Sequence, residues 1–430
     1  MQYDLVVIGA GWAGFNAAIR AKELGLKVAI AEKNKPGGTC LNLGCIPTKT
    51  LLQSAKIYSS IKKAKNFCIE ATTPTVNFSQ IQKRKELIIQ QLQSGISLML
   101  KGIDLLSGPA QILSADTVEV AGQKLNTRFI LIACGSRPHM PQAIANLDPR
   151  PLTSDELLEI KELPKSLLVI GGGVIGCEFA SLFNALGSSA SIVELMPRIL
   201  PGLDQEIARK LEGVFKKRGI KISTNTDASA INLADYQMSI CCIGRAPDTD
   251  GLAIDQVGIK LDNGKIIVDQ NLRTNIANIY AAGDCTGRSM LAHAASYQGV
   301  LAVENMVHLS DPKKADGLIP SCIFTDPEIA SIGLSEEEAL AQGKEIAVHK
   351  LDFLTSSMAR ILDETEGFIK IISTKNTQEL LGASIIGPRA TELISVLTVA
   401  MQNKITALQL KNTIFAHPTL SEIIPEALRR

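Results

Sequence analysis

The chain has 430 residues, of which 46% are apolar, and its formal net charge is +1 at pH 7. This length accommodates about three domains, and the near-neutral charge provides no basic field that would attract nucleic acid. The sequence contains no apolar run of membrane-spanning length, and nothing before the first apolar strand, Leu5–Ile8, has the charged-then-apolar order of a signal peptide. We therefore expect a cytoplasmic protein that binds neither nucleic acid nor a membrane.

A nucleotide-binding pattern opens the chain and recurs in its middle. Residues 6–33 read VVIGAGWAGFNAAIRAKELGLKVAIAEK, and residues 168–195 read LVIGGGVIGCEFASLFNALGSSASIVEL. In each copy a short apolar strand meets Gly-x-Gly-x-x-Gly, a helix follows, and a second strand ends in an acid. The first glycine permits a tight turn, the second lets a pyrophosphate approach the backbone, and the third lets the helix pack on the strand. The candidate cofactor-binding residues are Gly9, Gly11, Gly14 and Glu32 in the first copy, and Gly171, Gly173, Gly176 and Glu194 in the second.

The acid of each copy is expected to accept hydrogen bonds from a ribose diol. A carboxylate at Glu194 would repel a 2′-phosphate, so the second copy favours NAD over NADP. Arg198 lies four residues further on and could bind such a phosphate or remain a solvated loop residue. The sequence thus predicts NAD and leaves NADP open.

Two cysteines follow the first copy in GGTCLNLGCIPTK, residues 37–49. Cys40 and Cys45 are close enough to form one small ring, and the neighbouring glycines let the backbone approach a flat cofactor. Pro47 suits the first turn of a helix, and a thiol near a helix start is biased toward thiolate. No second cysteine pair at ligand spacing exists to complete a zinc site, so we predict no metal. This pattern indicates a redox-active disulfide beside a flavin.

The other seven cysteines lie singly or within apolar stretches, and we expect buried, unreactive thiols at Cys68, Cys134, Cys177, Cys241, Cys242, Cys285 and Cys322.

The later part of the chain contains one further acid at a strand end and then a change of pattern. In ANIYAAGDCTG, residues 277–287, Asp284 follows Gly283 and is well placed to hold a polyol chain such as the ribityl group of a flavin. After Pro320 shorter runs predict an α+β domain. Its predicted strands are Glu366–Ile372 and Leu380–Ile386, and its predicted helices are Ser335–Gln342 and Ala390–Asn403.

A histidine and a glutamate lie five residues apart in FAHPTLSEIIPEAL. The segment from Thr419 can begin a helix while the Glu422 carboxylate folds back to an imidazole nitrogen of His417. A histidine oriented in this way is a general acid and base near neutral pH. A surface histidine beside a helix-starting glutamate would give the same sequence pattern.

Taken together, these motifs resemble the flavin-dependent pyridine nucleotide–disulfide oxidoreductases over nearly the whole chain, and most of all the dihydrolipoamide dehydrogenases among them. The resemblance implies an α/β fold with two Rossmann-like domains, for FAD and NAD, and a C-terminal α+β dimerisation domain. The implied boundaries are residues 1–143 and 252–319 for the two parts of the FAD-binding and central region, 144–251 for the NAD-binding domain and 320–430 for the dimerisation domain. The motifs that carry it are IGAGWAG, GGTCLNLGCIPTK, GGGVIGCE, CIGRAPDT, IYAAGD, FTDPEIASIG and HPTLSE.

The same resemblance assigns roles to further residues. Lys49 would lie near the flavin and pair with Glu178, and Asp284 would hold the ribityl chain. Gly244 and Gly283 would lie at the cofactors. His417 would serve the active site of a second subunit, polarised by Glu422. The expected partners are therefore a second copy of the chain and a lipoyl-carrying protein or free lipoamide.

The implied reaction is oxidation of dihydrolipoamide by NAD⁺ through the Cys40–Cys45 disulfide and FAD. Two alternatives stay open: an NAD(P)H-dependent reductase of another disulfide, similar to glutathione reductase, and a flavoprotein subunit of a larger assembly that has lost turnover. One departure from the family pattern concerns residues 225–237. They leave only a short connection between strands expected near Lys221–Thr224 and Met238–Ile243, where the family usually has a longer β-meander. The NAD-binding domain is thus expected to be trimmed.

Overall fold

The protein is described by a computed structural model that covers residues 2–308, 310–315 and 317–430. The strands are β1 (Tyr3–Ile8), β2 (Val28–Glu32), β3 (Asp104–Ser107), β4 (Ala110–Ser114), β5 (Thr117–Val120), β6 (Gln123–Ile132), β7 (Ser136–Pro138), β8 (Ser166–Ile170), β9 (Ser189–Val193), β10 (Lys221–Ser223), β11 (Met238–Cys241), β12 (Arg245–Pro247), β13 (Leu261–Asp262), β14 (Lys265–Ile266), β15 (Ile279–Ala281), β16 (Ser321–Ile323), β17 (Glu328–Gly333), β18 (Ile346–Asp352), β19 (Phe368–Thr374) and β20 (Leu380–Gly387). The helices are α1 (Trp12–Glu23), α2 (Gly38–Leu43), α3 (Cys45–Lys62), α4 (Phe78–Met99), α5 (Gln142–Ala145), α6 (Ser154–Leu157), α7 (Val174–Leu186), α8 (Gln205–Lys217), α9 (Ile254–Val257), α10 (Ala292–Val307), α11 (Glu336–Ala341), α12 (Ser357–Ile361), α13 (Ala390–Gln402), α14 (Ala407–Lys411) and α15 (Ile423–Ala427).

The first nucleotide-binding unit is built on a parallel sheet in which β3, β2, β1, β6 and β15 lie side by side. The apolar residues of β1 make it the buried central strand, since Leu5, Val6 and Val7 are fully inaccessible. Because all five strands run in one direction, their carboxyl ends meet at one edge, where ligands bind in sheets of this kind. The loops that begin at Gly9 and Gly283 both leave the sheet at this edge.

The second unit repeats this arrangement with the parallel order β10, β9, β8, β11. Helix α7 connects β8 to β9 and ends at Gly187, whose φ of +114° is a left-handed conformation that glycine adopts readily. Between β10 and β11 the short connection forms two 3₁₀ turns, Ala228–Ala230 and Leu233–Asp235. Leu233 is buried against residues of β8, so the trimmed connection packs on the sheet rather than forming further strands.

The C-terminal unit is an antiparallel sheet with the order β16, β17, β20, β19, β18. Helices α13 and α15 pack on it through a core of aliphatic side chains. The predicted strands and helices of this region are observed with ends shifted by at most two residues, as β19, β20, α11 and α13. The fold class predicted from the sequence, two Rossmann-like units and a C-terminal α+β domain, is confirmed. Within the described ranges, no helix combines the length and the apolar composition needed to cross a membrane.

Candidate active site

The acid at the end of β2 holds the first glycine-rich loop in place through hydrogen bonds. The carboxylate of Glu32 is buried and accepts the backbone N–H groups of Ala10 and Asn34, each at 2.7 Å. Glu194 repeats this arrangement at the end of β9, accepting the corresponding N–H groups of its own loop and strand end at 2.6 and 2.8 Å. Both acids therefore fix the position of a glycine loop, and the expected hydrogen bonds to ribose stay a prediction.

The glycines of each loop differ in what surrounds them. A Cβ on the third glycine would lie 1.8 Å (Gly14) or 2.0 Å (Gly176) from the carbonyl oxygen of the first glycine, so helix and strand approach too closely for a side chain. Around the second glycines there is room: the atom nearest to a Cβ on Gly11 is 3.8 Å away, and no described atom lies within 4 Å of one on Gly173. The loops thus present open backbone where a pyrophosphate would lie.

A cavity of about 1440 Å³ extends from the first glycine loop to the two cysteines and the start of α7. It exceeds the roughly 300–1,000 Å³ of ordinary small-ligand pockets and fits a dinucleotide. Of the residues predicted to hold a cofactor or to react, the cavity is lined by Gly9, Gly11, Glu32, Cys40, Cys45, Lys49, Glu178, Gly283 and Asp284. Gly14, Gly171, Gly173, Gly176, Glu194, Gly244, His417 and Glu422 are not among the described residues that line it.

Cys40 and Cys45 are brought together by the turn between α2 and α3 and are free thiols in this structure. Cys45 is the first residue of the 18-residue helix α3, and Pro47 lies in its first turn as predicted. Hydrogen bonding from the Cys40 thiol, together with the charge of Lys49, lowers the pKa of Cys45 to about 7 against the effect of burial. The pKa of Cys40 is raised, first because it donates to Cys45 and then because it is buried. The reduced pair therefore carries its negative charge on Cys45.

Lys49 and Glu178 form the ion pair that the resemblance led us to expect. Lys49 Nζ lies 2.9 and 2.8 Å from the two oxygens of Glu178, one turn along α3 from Cys45. Glu178 is only 4% exposed and also accepts the backbone N–H of Phe324 at 2.9 Å. The lysine lies over the Phe324 ring, 4.6 Å from its centre. This pair joins the first unit, the second unit and the C-terminal region beside the thiols.

Asp284 belongs to a hydrogen-bonded chain that sequence reasoning missed. Its carboxylate accepts the Ser136 hydroxyl at 2.5 Å, and that hydroxyl oxygen accepts Arg245 Nε at 2.8 Å. The neighbouring Gly244 has a φ of +120° and turns the chain between β11 and β12. Arg245 lies within CIGRAPDT, so the motif was recognised, but the partner Ser136 follows β6 and carries no local signal.

The predicted dyad forms at the C-terminus. His417 Nδ1 lies 2.9 Å from one oxygen of Glu422, and the other oxygen accepts the backbone N–H of Thr419 at 2.8 Å. The Thr419 N–H, and then His417, hold the pKa of Glu422 below its usual value. The His417 side chain is 72% exposed. Within one chain the structure brings His417 to Glu422 but not to the cavity that holds the cysteines.

The remaining cysteines do not all follow the sequence prediction. Cys68 is exposed, because the 3₁₀ turn that precedes it lies on the surface, so the prediction of a buried thiol is wrong there. Cys134 and Cys322 are half-buried and line the cavity. Cys134 donates to Cys285, which together with burial raises its pKa well above the usual value. Trp12 and His293 also line the cavity and were not singled out as site residues.

The fold and the site together define a disulfide oxidoreductase with two nucleotide-binding units, and comparison with known proteins gives the family. The pattern of the family described as pyridine nucleotide-disulphide oxidoreductase matches residues 3–299, and that of its dimerisation domain matches residues 319–428. The chain belongs to the pyridine nucleotide-disulphide oxidoreductase family. It is a flavoprotein disulfide oxidoreductase, whose family binds FAD and uses NAD(P).

The similar proteins include curated enzymes and a solved structure. The chain is 37% identical to a dihydrolipoyl dehydrogenase of Bacillus subtilis over 99% of its own length and 97% of the relative. It is 39% identical to a dihydrolipoyl dehydrogenase of Chlamydia pneumoniae over 99% and 96%. Among solved structures it is similar to the HOCl-induced flavoprotein disulfide reductase RclA from Escherichia coli, with 28% identity, a TM-score of 0.90 and 99% coverage of each chain.

Proposed function

We propose that the protein is a dihydrolipoyl dehydrogenase, which oxidises dihydrolipoamide with NAD⁺ through the Cys40–Cys45 disulfide. The observation that carries this proposal is the thiol pair itself. Cys45 has a pKa of about 7 and lies one turn from the Lys49–Glu178 ion pair, in a cavity large enough for FAD. Sequence identity of 37% to 39% with dihydrolipoyl dehydrogenases over nearly the full length supports the substrate assignment.

The cysteines, with a base, would carry the sulfur chemistry. A substrate thiol loses its proton to His417 of the partner subunit and attacks Cys40 Sγ. The Cys40–Cys45 bond then breaks, and Cys45 leaves as a thiolate. The low pKa of Cys45 makes it a good leaving group. The partner's His417 releases the first proton to solvent and accepts the proton of the second substrate thiol, whose sulfur attacks the first substrate sulfur and displaces Cys40 as a thiolate. The substrate becomes a cyclic disulfide, and its two electrons remain on the enzyme thiols. Bound FAD would supply the electron chemistry that links this dithiol to hydride transfer to NAD⁺.

The cofactor assignments rest on the two glycine loops. The proposed FAD-binding residues are those of the first loop with Glu32, Lys49, Gly283 and Asp284, and the proposed NAD-binding residues are those of the second loop with Glu194 and Gly244. A buried carboxylate at Glu194 favours NAD because it would repel a 2′-phosphate. We assign residues 1–143 and 252–319 to the FAD-binding region, 144–251 to the NAD-binding domain and 320–430 to dimerisation. The active form would be a homodimer that acts on a lipoyl-carrying protein or free lipoamide.

A second candidate is an NAD(P)H-dependent reductase of another disulfide. The likeness to the flavoprotein disulfide reductase RclA, with a TM-score of 0.90, favours it. The same thiols would then work in the opposite direction, receiving electrons from NAD(P)H and reducing an external disulfide. A flavoprotein subunit without turnover is less well supported, because the cysteines, the ion pair and the dyad are all present.

The test compares substrates in both directions. Purified, FAD-loaded protein is assayed for reduction of NAD⁺ by dihydrolipoamide, and for oxidation of NADH or NADPH by lipoamide or glutathione disulfide. We expect the fastest rates with the lipoyl pair and NAD(H), and loss of turnover in Cys45→Ser. Faster reduction of glutathione disulfide than of lipoamide would replace this proposal with the second candidate. Nucleotide binding without turnover of any disulfide would leave only the non-catalytic subunit.

A further inference from the structure

The loop that precedes α1 lies directly against the loop that precedes α2. Gly37 N–H donates to the carbonyl of Ala10 at 2.8 Å, and a Cβ on Gly38 would lie 2.7 Å from the Cα of Gly11. Trp12, the first residue of α1, follows this contact and lines the same cavity as Cys40. Trp12 and Cys40 thus follow two loops whose backbones are in contact, and both line one cavity.

The indole N–H of Trp12 is buried and has no hydrogen-bond partner of ordinary geometry among the described residues. A buried N–H without an acceptor is costly, and native structures provide a partner for most of them. We take the sulfur of Cys40 as its acceptor, because both residues line the same cavity and the Trp12 N–H acts to lower the pKa of Cys40. Catalytic hydrogen bonds are often long before the reacting state forms and tighten within it.

We propose that the Trp12 indole N–H is the hydrogen-bond donor that stabilises the thiolate of Cys40 during exchange with the substrate. The proposal rests on the function proposed above, in which Cys40 forms the mixed disulfide. Hydrogen bonds to ionised acceptors are stronger than those between neutral groups. The N–H would therefore contribute little while Cys40 is bonded to Cys45 and most when Cys40 carries charge.

Cys40 carries charge in one step of the exchange. When the second substrate thiol, having lost its proton to His417 of the partner subunit, attacks the substrate sulfur bound to Cys40, a bond forms between the two substrate sulfurs. The bond between that substrate sulfur and Cys40 breaks, and the electron pair passes to Cys40 Sγ. In the opposite direction the same thiolate is the attacking nucleophile. A donor at Trp12 therefore favours the departure of Cys40 as a thiolate in the first direction, and raises the fraction of Cys40 present as thiolate in the second.

The charged and titratable groups that act on Cys40 are few. Donation to Cys45 raises the pKa of Cys40 most, followed by burial and the charge of Cys45, whereas Lys49 and then Trp12 lower it. Because the two cysteines titrate together, the test uses the Cys45→Ser protein, in which Cys40 is the remaining thiol of the pair. In that protein Lys49 and Trp12 are the groups that favour the thiolate.

Trp12 is the single tryptophan of the chain, so its indole gives one N–H resonance in the spectrum of protein labelled with ¹⁵N-indole tryptophan. In FAD-loaded Cys45→Ser we expect this resonance to move with pH, at the same midpoint as the alkylation of Cys40 by iodoacetamide. This NMR measurement needs no substrate, so its result does not depend on whether the protein turns over lipoamide. A resonance that stays in place while Cys40 ionises would overturn the proposal.

A variant removes the N–H and keeps an aromatic ring. In the Cys45→Ser background, Trp12→Phe should move the midpoint of Cys40 alkylation to higher pH, whereas Phe15→Leu, which alters the ring packed 5.3 Å from the indole, should not. With Cys45 intact, Trp12→Phe should slow disulfide exchange about tenfold, the effect of one charge-assisted hydrogen bond. Flavin absorbance verifies that each variant is folded. Equal midpoints in the Trp12→Phe and Phe15→Leu proteins would show that the N–H has no such role.

Discussion

Lys370 and Asp204 form an ion pair 2.9 Å long in which each side chain is only 1% exposed. Lys370 lies in the middle of β19 of the C-terminal sheet, and Asp204 caps α8 of the second nucleotide-binding unit. Lys370 Nζ also lies 2.6 Å from Glu206 and 2.9 Å from Glu336. A single buried ammonium therefore holds together carboxylates from two units of the fold.

Removing this ammonium should destabilise the protein strongly. Lys370→Met leaves the buried carboxylate of Asp204 without its counter-charge, which costs about 3–5 kcal/mol of unfolding free energy. The matched control is Lys350→Met, because Lys350 contacts Glu206 of the same cluster at 2.8 Å but is 39% exposed, and such pairs contribute about 0–1 kcal/mol. Urea unfolding of the two variants measures both values. Equal losses would contradict the assigned role of Lys370.

Substitutions at the two members of the Lys49–Glu178 ion pair should shift the pKa of Cys45 in opposite directions. The charge of Lys49 lowers the pKa of Cys45 and that of Glu178 raises it. The thiolate of Cys45 should therefore be present above pH 7 and lost as the pH falls through about 7. Lys49→Met should move this midpoint up, and Glu178→Gln should move it down. The measurement is the long-wavelength absorbance that a thiolate gives beside a flavin in reduced, FAD-loaded protein.

Two variants make this measurement decisive. Lys56→Met changes a lysine of the same helix that is 3.8 Å from Glu328 instead, and should leave the midpoint unchanged. Cys45→Ser should abolish the band. Midpoints that move in the same direction for both members of the Lys49–Glu178 pair would show that packing, not charge, controls Cys45.

The repeated acids allow each nucleotide site to serve as the control for the other. Glu194→Gln removes the charge that would repel a 2′-phosphate while keeping an oxygen for its loop, so the preference for NADH over NADPH should fall about tenfold. Glu32→Gln makes the same change at the first loop and should weaken FAD retention with that preference unchanged. The readouts are kcat/KM for both nucleotides and bound flavin after gel filtration. If the preference survives in Glu194→Gln, Glu194 does not select the cofactor.

Local patterns explain why much of the fold and the site could be predicted. The order of strand, glycine loop and helix is determined by consecutive residues. The same is true of the Cys40–Cys45 turn and of the contact between His417 and Glu422. Each depends on spacing of a few residues along one element. The fold class then follows from two such units and a tail of shorter strands.

Contacts between distant segments could not be predicted in this way. Ser136 reaches Asp284 only because β6 and β15 are neighbours in the sheet, a pairing that local periodicity does not specify. Lys370 is an unusual residue for a buried strand, and its partner Asp204 belongs to a different unit. Their positions are set by how whole sheets pack.

The position of the dyad leads to the last prediction. His417 is 72% exposed, lies outside the cavity of its own chain and belongs to the segment that matches the family's dimerisation domain, so we expect it to serve the cysteines of a partner subunit. Cys45→Ser and His417→Gln proteins should each be nearly inactive alone. Unfolding and refolding them together should recover about a quarter of wild-type activity, because half of randomly paired dimers are hybrids with one intact site. Mixing Cys45→Ser with Cys40→Ser provides the control, since neither chain then has a complete disulfide. Recovery in the first mixture alone requires a site shared between subunits, whereas no recovery in either would assign the histidine to its own chain.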